Sequence, residues 1–494
     1  MTCLSLGRLS LLAAALLLGA CAVGPDYQRP AGTPPAQFKE AAGWKTAAPA
    51  DQRLGDAWWQ LYGDAQLNRL IAQLNVSNQD LAGAEAQYRQ ARALLGSARA
   101  AFYPTVSASA GVNRAGQGGG SSTLSTSDGF NVSGANAASI SKSYDLSLNV
   151  GWELDVWGKL RRSLESSTAQ YEASAADLAA MRLSLQSQLV QSYLQLRVLD
   201  EQTRLLEATV TAYERSLKLT ENQYRAGIVA KSDVSQARTQ LNSTRAQAID
   251  LQWQRAQLEH AIAVLTGVPP SELSIAPSTR LPALPEIPLA MPSQLLERRP
   301  DIASAERQMI AANAEIGVAE AAWYPDLSLS ASGGYNGSSY SDWISLPNRV
   351  WSIGPQLAGT LFDGGARSAQ VESAEAAYQQ TVASYRQTVL DSFREVEDYL
   401  VQLRVLQQEA VAQQAAVDAA RESLRALENQ YRAGTVDYNS VVNVQATALS
   451  NERTALSLLG TQLTASVQLI AALGGGWDSS QLQAAPASAQ AEAR

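Results

Sequence analysis

The sequence predicts a mixed α/β membrane fold built on an internal tandem repeat. Each chain supplies four strands to a trimeric 12-stranded transmembrane β-barrel, continuous with a 12-helix periplasmic α-barrel. Three observations carry this. The heptapeptide at 221–227 recurs letter for letter at 428–434. Two pairs of segments alternate apolar and polar residues with period two, as strands with one apolar face do. Two long stretches rich in Ala, Leu, Gln, Glu, Arg and Ser contain no proline.

The repeat comes first, because it makes each half one structural unit. An offset of 207 carries Leu154 onto Leu361, Gly158 onto Gly365 and Gly267 onto Gly474. Upstream the offset is 221, taking Phe102-Tyr103-Pro104 onto Trp323-Tyr324-Pro325, Asp80 onto Asp301 and Glu85 onto Glu306. The first half therefore holds 14 extra residues between positions 104 and 154.

Residues 1–20 read as a signal peptide: Arg8, then a short apolar core, then Leu18-Gly19-Ala20-Cys21. The core is too short to span a bilayer, and the last four residues resemble the bacterial lipobox, in which Cys21 becomes the lipidated first residue. Cleavage leaves Cys21 as the only cysteine and a net charge of −9, which excludes an internal disulfide or a cysteine metal cluster. A mildly acidic chain without a basic stripe does not suit nucleic acid. No other run in the sequence looks apolar enough for a membrane helix.

Residues 21–63 are expected to be an extended N-terminal segment. The first repeat, 64–267, opens with helices over 64–101 that break near Asn75 to Asn78 and stop at Pro104. Alternation then marks strands at Val106 to Val112 and Tyr144 to Asp155, with a polar loop over 113–143. A Pro-rich linker, 268–291, leads to the second repeat, 292–474. There the strands lie around Leu327 to Ala331 and Trp351 to Leu361, with a shorter loop over 335–349. Both offsets are odd, and the apolar face moves from even to odd positions accordingly. Between Gly158 and Gly227, and between Gly365 and Gly434, strong helix formers dominate. A single helix of that span is on the order of 100 Å long. Gly227 and Gly434 are helix stops, and Ser232-Asp233 and Asn439-Ser440 offer N-caps for return helices. Residues 475–494 are expected to be disordered.

Strands of about 10 residues cross a bilayer when tilted. Aromatics flank them: Phe102, Tyr103, Trp157, Trp323, Tyr324 and Phe362 at one end, Tyr144, Trp343 and Trp351 at the other, as at membrane interfaces. Four strands do not close a wet barrel, and open edges are excluded from lipid, so the chain must pair with copies of itself. Asp145, Ser147, Asn149, Glu153 and Asp155 form the polar face expected to line the pore.

These residues resemble the TolC-type outer-membrane efflux proteins, in the lipoprotein branch called NodT- or OprM-like. The likeness rests on Cys21-Ala22-Val23-Gly24-Pro25-Asp26-Tyr27-Gln28-Arg29-Pro30, on Trp152-Glu153-Leu154-Asp155-Val156-Trp157-Gly158-Lys159-Leu160-Arg161, on Arg298-Arg299-Pro300-Asp301-Ile302, and on the repeated Tyr-Arg-Ala-Gly. It spans nearly the whole mature chain. It implies a homotrimer, lipid-anchored through Cys21 in the outer membrane of a Gram-negative bacterium and reaching into the periplasm. The implied partners are a periplasmic adaptor and an inner-membrane transporter of the RND type.

The resemblance also assigns the tips. Tyr224, Arg225, Ala226, Gly227, Arg432, Ala433 and Gly434 match hairpin turns that dock the adaptor. Asp233, Gln236, Tyr431, Asn439, Ser440 and Asn443 fall at the periplasmic gate. Asp233 matches an acidic residue that clamps the closed tip through a tyrosine, here Tyr431, and it also reads as an N-cap. The family's basic partner falls at Val436 and its acidic rings at Ser440 and Asn443, so the ion pair and the charged constriction are missing. For Asn443 an ordinary solvated helix face is the alternative. No cofactor is expected beyond the lipid on Cys21. His260 is alone, Gly118-Gly119-Gly120 lacks the strand-helix setting of a phosphate loop, and nothing suggests an enzyme.

The leading function is a passive export duct for small molecules and drugs. A type I secretion duct for polypeptides keeps the same fold. A coiled-coil envelope scaffold lipoprotein explains the helices but leaves the strand pairs unexplained.

Overall fold

The computed structural model describes residues 22–29, 38–40, 57–118, 121–125, 131–135, 139–278, 281–285, 287 and 298–480. The signal segment, Cys21, residues 481–494, and parts of the N-terminal segment and the linker lie outside them. The helices are α1 (Ala65–Ser77), α2 (Gln79–Ala100), α3 (Lys159–Arg225), α4 (Lys231–Leu265), α5 (Pro300–Ala321), α6 (Ala366–Arg432) and α7 (Tyr438–Ala472). The strands are β1 (Thr105–Gln117), β2 (Ser121–Ser125), β3 (Asn131–Ala135), β4 (Ser139–Leu154), β5 (Asp326–Gly337) and β6 (Arg349–Ala358). The chain folds as two compact units, one of residues 1–29, 91–171 and 308–381, the other of 30–90, 172–307 and 382–494. Their boundaries fall inside α2, α3, α5 and α6.

The first unit holds an antiparallel sheet in the order β1-β4-β5-β6. Its register keeps the two faces apart across all four strands. Val106, Val150, Ala331 and Ile353 stand side by side in one row, and Ser107, Asn149, Ser332 and Ser352 in the next. Directly opposed residues share a face, so one side is apolar and the other polar. Leu148 is 57% exposed and Ile353 is 65% exposed on the apolar side. Pro355 lies in β6, an edge strand, where a missing donor is tolerated.

The expected loop limits need correction. β1 runs on to Gln117 and β4 begins at Ser139, and the β2–β3 hairpin lies in the segment between them. Residues 113–117 and 139–143, polar apart from Ala115, Gly116 and Ile140, pair through their backbones, and such pairing needs no apolar face. Likewise β5 extends to Gly337.

The sheet joins its helices through carboxylates. Asp155 follows β4, and its carboxylate accepts from the backbone N–H groups of Leu160 (2.9 Å) and Arg161 (3.0 Å). Asp363 does the same for Gly365 and Arg367 in the second half. The segment 22–29 is strapped to this junction. Val23 N–H donates to the Trp157 carbonyl (3.1 Å). The buried Arg162 donates to the carbonyls of Val23 (3.2 Å) and Gly24 (3.0 Å) and to Asp26 (2.8 Å). Asn313 donates to the Pro25 carbonyl (2.9 Å).

The second unit packs α1 against α3, α4, α6 and α7, around buried Leu67, Ile71, Leu189, Ile262, Val396 and Leu463. Asn78 separates α1 from α2. Its side chain accepts from Leu81 N–H and donates to the Leu265 carbonyl, both at 2.8 Å. That bond ties the start of α2 to the end of α4. The same junction needs Gly267 (φ +71°), because a Cβ there would stand 2.1 Å from the Ser77 carbonyl. Gly474 (φ +94°) repeats the contact with the Arg298 carbonyl, at 2.0 Å. Each half thus stacks a short helix end-on against its return helix.

One helix does have the length and composition to cross a membrane, contrary to the sequence expectation. It is α7, and half of its most apolar window is buried. Leu463, Val467, Leu469 and Ile470 are fully covered, so its hydropathy reflects packing in the core.

A charged network anchors the chain past α4. Asp200 accepts from Arg197 (2.9 Å) and Arg255 (2.7 Å), and Arg197 also reaches the Ala276 carbonyl (2.9 Å). The side chains of Arg197 and Asp200 are only 3% and 2% exposed. Removing one partner of such a pair strands the other charge. Asp200→Ala should destabilise the fold by about 3–5 kcal/mol, read as a lower thermal midpoint by circular dichroism.

Candidate functional site: hairpin tips and strand face

The two tips are built alike. Helix α3 ends with Gly227 N–H bonded to the Tyr224 carbonyl and Ile228 N–H to that of Gln223. Helix α6 ends with Gly434 bonded to Tyr431 and Thr435 to Gln430. This is the Schellman closure, and it requires the left-handed conformation that Gly227 (φ +74°) and Gly434 (φ +76°) adopt. The N-caps differ from expectation. Helix α4 starts after Ala230, with Asp233 at its third position, and α7 starts after Asp437, whose carboxylate accepts from Ser440 N–H at 3.0 Å. Ser232, Asn439 and Ser440 therefore lie inside their helices. The Asp437 carboxyl is held below its usual range by the Ser440 hydroxyl and backbone N–H.

Identical sequences meet different surroundings at the tips. Tyr224 is 44% exposed and Tyr431 only 6%. The Tyr431 hydroxyl donates to Gln223 Oε1 at 2.6 Å and lies 3.4 Å from Thr220 Oγ1. Its ring packs at 5.4 Å against Tyr438, whose hydroxyl accepts from Ser216 at 3.4 Å. Ala237, Val441 and Val442 complete this cluster, and Val436 and Leu217 pack on it. Burial pushes both tyrosine hydroxyls up, so both stay neutral and remain donors.

The expected Asp233–Tyr431 clamp is not formed. Asp233 turns back to Ala230 N–H and to the Ser232 hydroxyl, each at 3.3 Å, while Tyr431 bonds Gln223. Asp233 lies near enough for its charge to help hold the Tyr431 proton on, after the effect of burial. Gln236 Nε2 donates to Asn439 Oδ1 at 3.0 Å, linking α4 to α7. Asn443 is exposed and Ser440 half-buried. At the turns, Tyr224, Ala226, Gly227, Arg432, Ala433 and Gly434 border solvent or lie near it, and Arg225 donates to Asn222 at 2.6 Å. Sequence reasoning missed Gln223, Thr220 and Ser216. The repeat could have flagged Gln223, since its copy Gln430 sits beside the tyrosine it does not serve.

On the strand face, Asp145, Ser147, Asn149 and Glu153 fall in rows with Asn336, Ser109, Ser332 and Ser328 respectively. Ser147 and Ser109 hydroxyls meet at 2.8 Å, as do Ser332 and Ser352. Glu153 pairs with Lys159 at 3.2 Å. Asp155 does not belong to this face. It lies beyond β4 with its carboxylate 9% exposed, occupied as the cap of α3. Among the described residues no cluster has the composition of a metal site, and His260 is exposed on α4.

Comparison with known proteins fits this arrangement. The profile of the outer membrane efflux protein family matches residues 70–268 and 291–475, one stretch for each half of the repeat. The chain is 32% identical over 481 residues to the pyoverdine export outer membrane protein OpmQ of Pseudomonas aeruginosa, covering 96% of this chain and 98% of that one. It is 30% identical over 466 residues to the probable outer membrane lipoprotein SilC of Salmonella typhimurium, covering 94% and 97%. The solved outer-membrane channel OprN superposes with a TM-score of 0.82 at 33% identity, over 92% of this chain and all of that one. The chain belongs to the outer membrane efflux protein family and serves as an outer-membrane efflux channel.

Proposed function

We propose that three copies of this chain form one passive duct for small molecules. The observation that carries it is the register of the sheet: four strands with one continuous apolar face, one polar face and two unpaired edges. Such a sheet suits lipid only when its edges are paired, and three copies supply twelve strands for a barrel with a polar bore. The helices then form the twelve-helix periplasmic barrel, a periplasmic adaptor engages the tips at Tyr224 to Gly227 and Arg432 to Gly434, and an inner-membrane transporter of the RND type supplies the energy. The chain itself performs no chemistry and holds no cofactor. Relatives named for pyoverdine export and cation efflux support a small-molecule cargo over a polypeptide.

Light scattering in mild detergent should return a trimer, and a monomer would refute edge closure. Leu148→Arg, on the apolar face, should cost assembly about 2–4 kcal/mol if it meets lipid at mid-depth, whereas Asn149→Ala should cost far less.

Lipidation at Cys21 follows from the lipobox. Radiolabelled palmitate should enter the wild type and not Cys21→Ser, and equal labelling would refute it.

The gate we propose is a neutral latch, Tyr431 on Gln223, with Asn443 lining the constriction. Tyr431→Phe removes the hydrogen bond to Gln223, worth about 0.5–1.5 kcal/mol, with the longer one to Thr220, and should raise planar-bilayer conductance. Asp233→Ala should lower thermal stability and leave conductance alone, because Asp233 serves the start of α4. Asn443→Asp should raise cation preference in a salt gradient. The raised tyrosine pKa values favour the folded, neutral form, and that preference is lost only as pH climbs above the unfolded value of about 10. Resting conductance should therefore stay flat between about pH 5 and 9.

A further inference from the structure

The connection between β5 and β6 carries an apolar surface that neither the pore nor the tips use. Residues 338–348 hold one charge, Asp342, and four large apolar or aromatic side chains, Tyr340, Trp343, Ile344 and Leu346. Tyr340 is 74% exposed, Leu346 78% and Ile344 57%. The loop has a defined shape. Asn348 Nδ2 donates to the Asp342 carbonyl at 3.0 Å and to Ser345 Oγ at 3.2 Å, and a single turn of 3-10 helix spans Leu346–Asn348. Gly337 is buried with Trp343 against it, close enough that a Cβ would stand 3.0 Å from Trp343 Cα and Cβ.

Parity fixes the direction in which the loop leans. Tyr144 shares its face with Leu146, Leu148 and Val150, the apolar side of the sheet. Its ring meets Tyr340 edge-on with centroids 5.7 Å apart, and Trp343 at 6.2 Å. The rings of the loop therefore lie over the apolar side, away from the polar side that bears Ser147 and Asn149. Trp351, 71% exposed, continues the same apolar side at the start of β6.

We propose that the 338–348 loop folds outward onto the membrane and seats Ile344 and Leu346 in the interfacial zone of the outer leaflet. The inference rests on reading the sheet as membrane-spanning. Tyr and Trp favour the headgroup level, and aliphatic side chains beside them gain by burial at the acyl boundary. One charge in eleven residues leaves little desolvation to oppose this. The loop is then a lipid contact that fixes the depth of the sheet, and it does not act as a lid over the bore.

The test uses the full-length protein in lipid nanodiscs, with Leu346→Cys and, separately, Ile344→Cys carrying the polarity-sensitive dye NBD. The unmutated protein taken through the same labelling gives the background. Leu148→Cys and Ser332→Cys serve as references for the apolar and polar faces. At 346 and 344 the dye should be blue-shifted, and lipid carrying a doxyl group near its headgroup should quench it several-fold more than aqueous iodide does. Quenching by iodide alone, as for a loop in water or over the pore, overturns the proposal. So does protection from both quenchers, as for a loop buried against a second copy. If doxyl lipid also fails to quench at Leu148→Cys, the membrane-spanning reading of the sheet is what has failed.

Discussion

Everything in this chain answers to the backbone hydrogen bonds left over at β1 and β6. A sheet with an apolar face belongs in lipid, and lipid offers nothing to an unpaired N–H or C=O. Four strands twisting together still end in two edges. In the proposed trimer, pairing with copies satisfies both, and rotational symmetry then passes to every element attached to the strands. The carboxylate caps at Asp155 and Asp363 fix how each long helix leaves the sheet, so they pass the geometry of the strands on to the helices.

Duplication doubles the parts without making them equivalent. The end-on contacts at Gly267 and Gly474 are near copies, because backbone approach at a glycine is insensitive to what surrounds it. The tips diverge: Tyr224 reaches outward while Gln223 beside it turns to the buried Tyr431 of the other hairpin. Residues outside the repeated heptapeptide decide this, chiefly Val436, Tyr438, Val441 and Val442, which give the second hairpin an apolar flank. Where an ion pair is absent, packing and neutral hydrogen bonds hold the cluster together. Those forces are indifferent to salt and to physiological pH.

Much of the fold is legible in the sequence because it rests on strong, local signals. Helix formers without proline mark α3 and α6, glycines mark their ends, and the parity of Val106, Leu148 and Ile353 marks the apolar face. What escapes the sequence is whatever depends on pairing alone. The outer ends of β1 and β4, 113–117 and 139–143, carry only Ala115 and Ile140 as apolar side chains among polar residues and Gly116, too few to mark a face, so the ladder there is invisible until the partner strand is present. The start of α4 at Ala230 has no capping side chain to announce it. Asp155 continues the strand's alternation by one residue, which places it on the polar face by parity, yet it caps the helix instead. Gln223 as partner of Tyr431 depends on how two hairpins meet, and no spacing within either encodes that.

The strap over 22–29 bears on what the proposed lipid at position 21 is for. Val23 is hydrogen-bonded to Trp157, whose ring stacks on Tyr324 at 4.9 Å among the aromatics at the inner end of the sheet. Only one residue, Ala22, separates Val23 from Cys21, a reach of about 7 Å when fully extended. An acyl group on so short a leash has no freedom to search the bilayer for a place to insert. In the proposed duct it enters the leaflet beside the rim of its own sheet, as one more apolar group in the aromatic belt. Fatty acids are usually pictured as tethers that bring a protein to a membrane. In the proposed lipoprotein they would instead act as a gasket around a barrel that has already arrived.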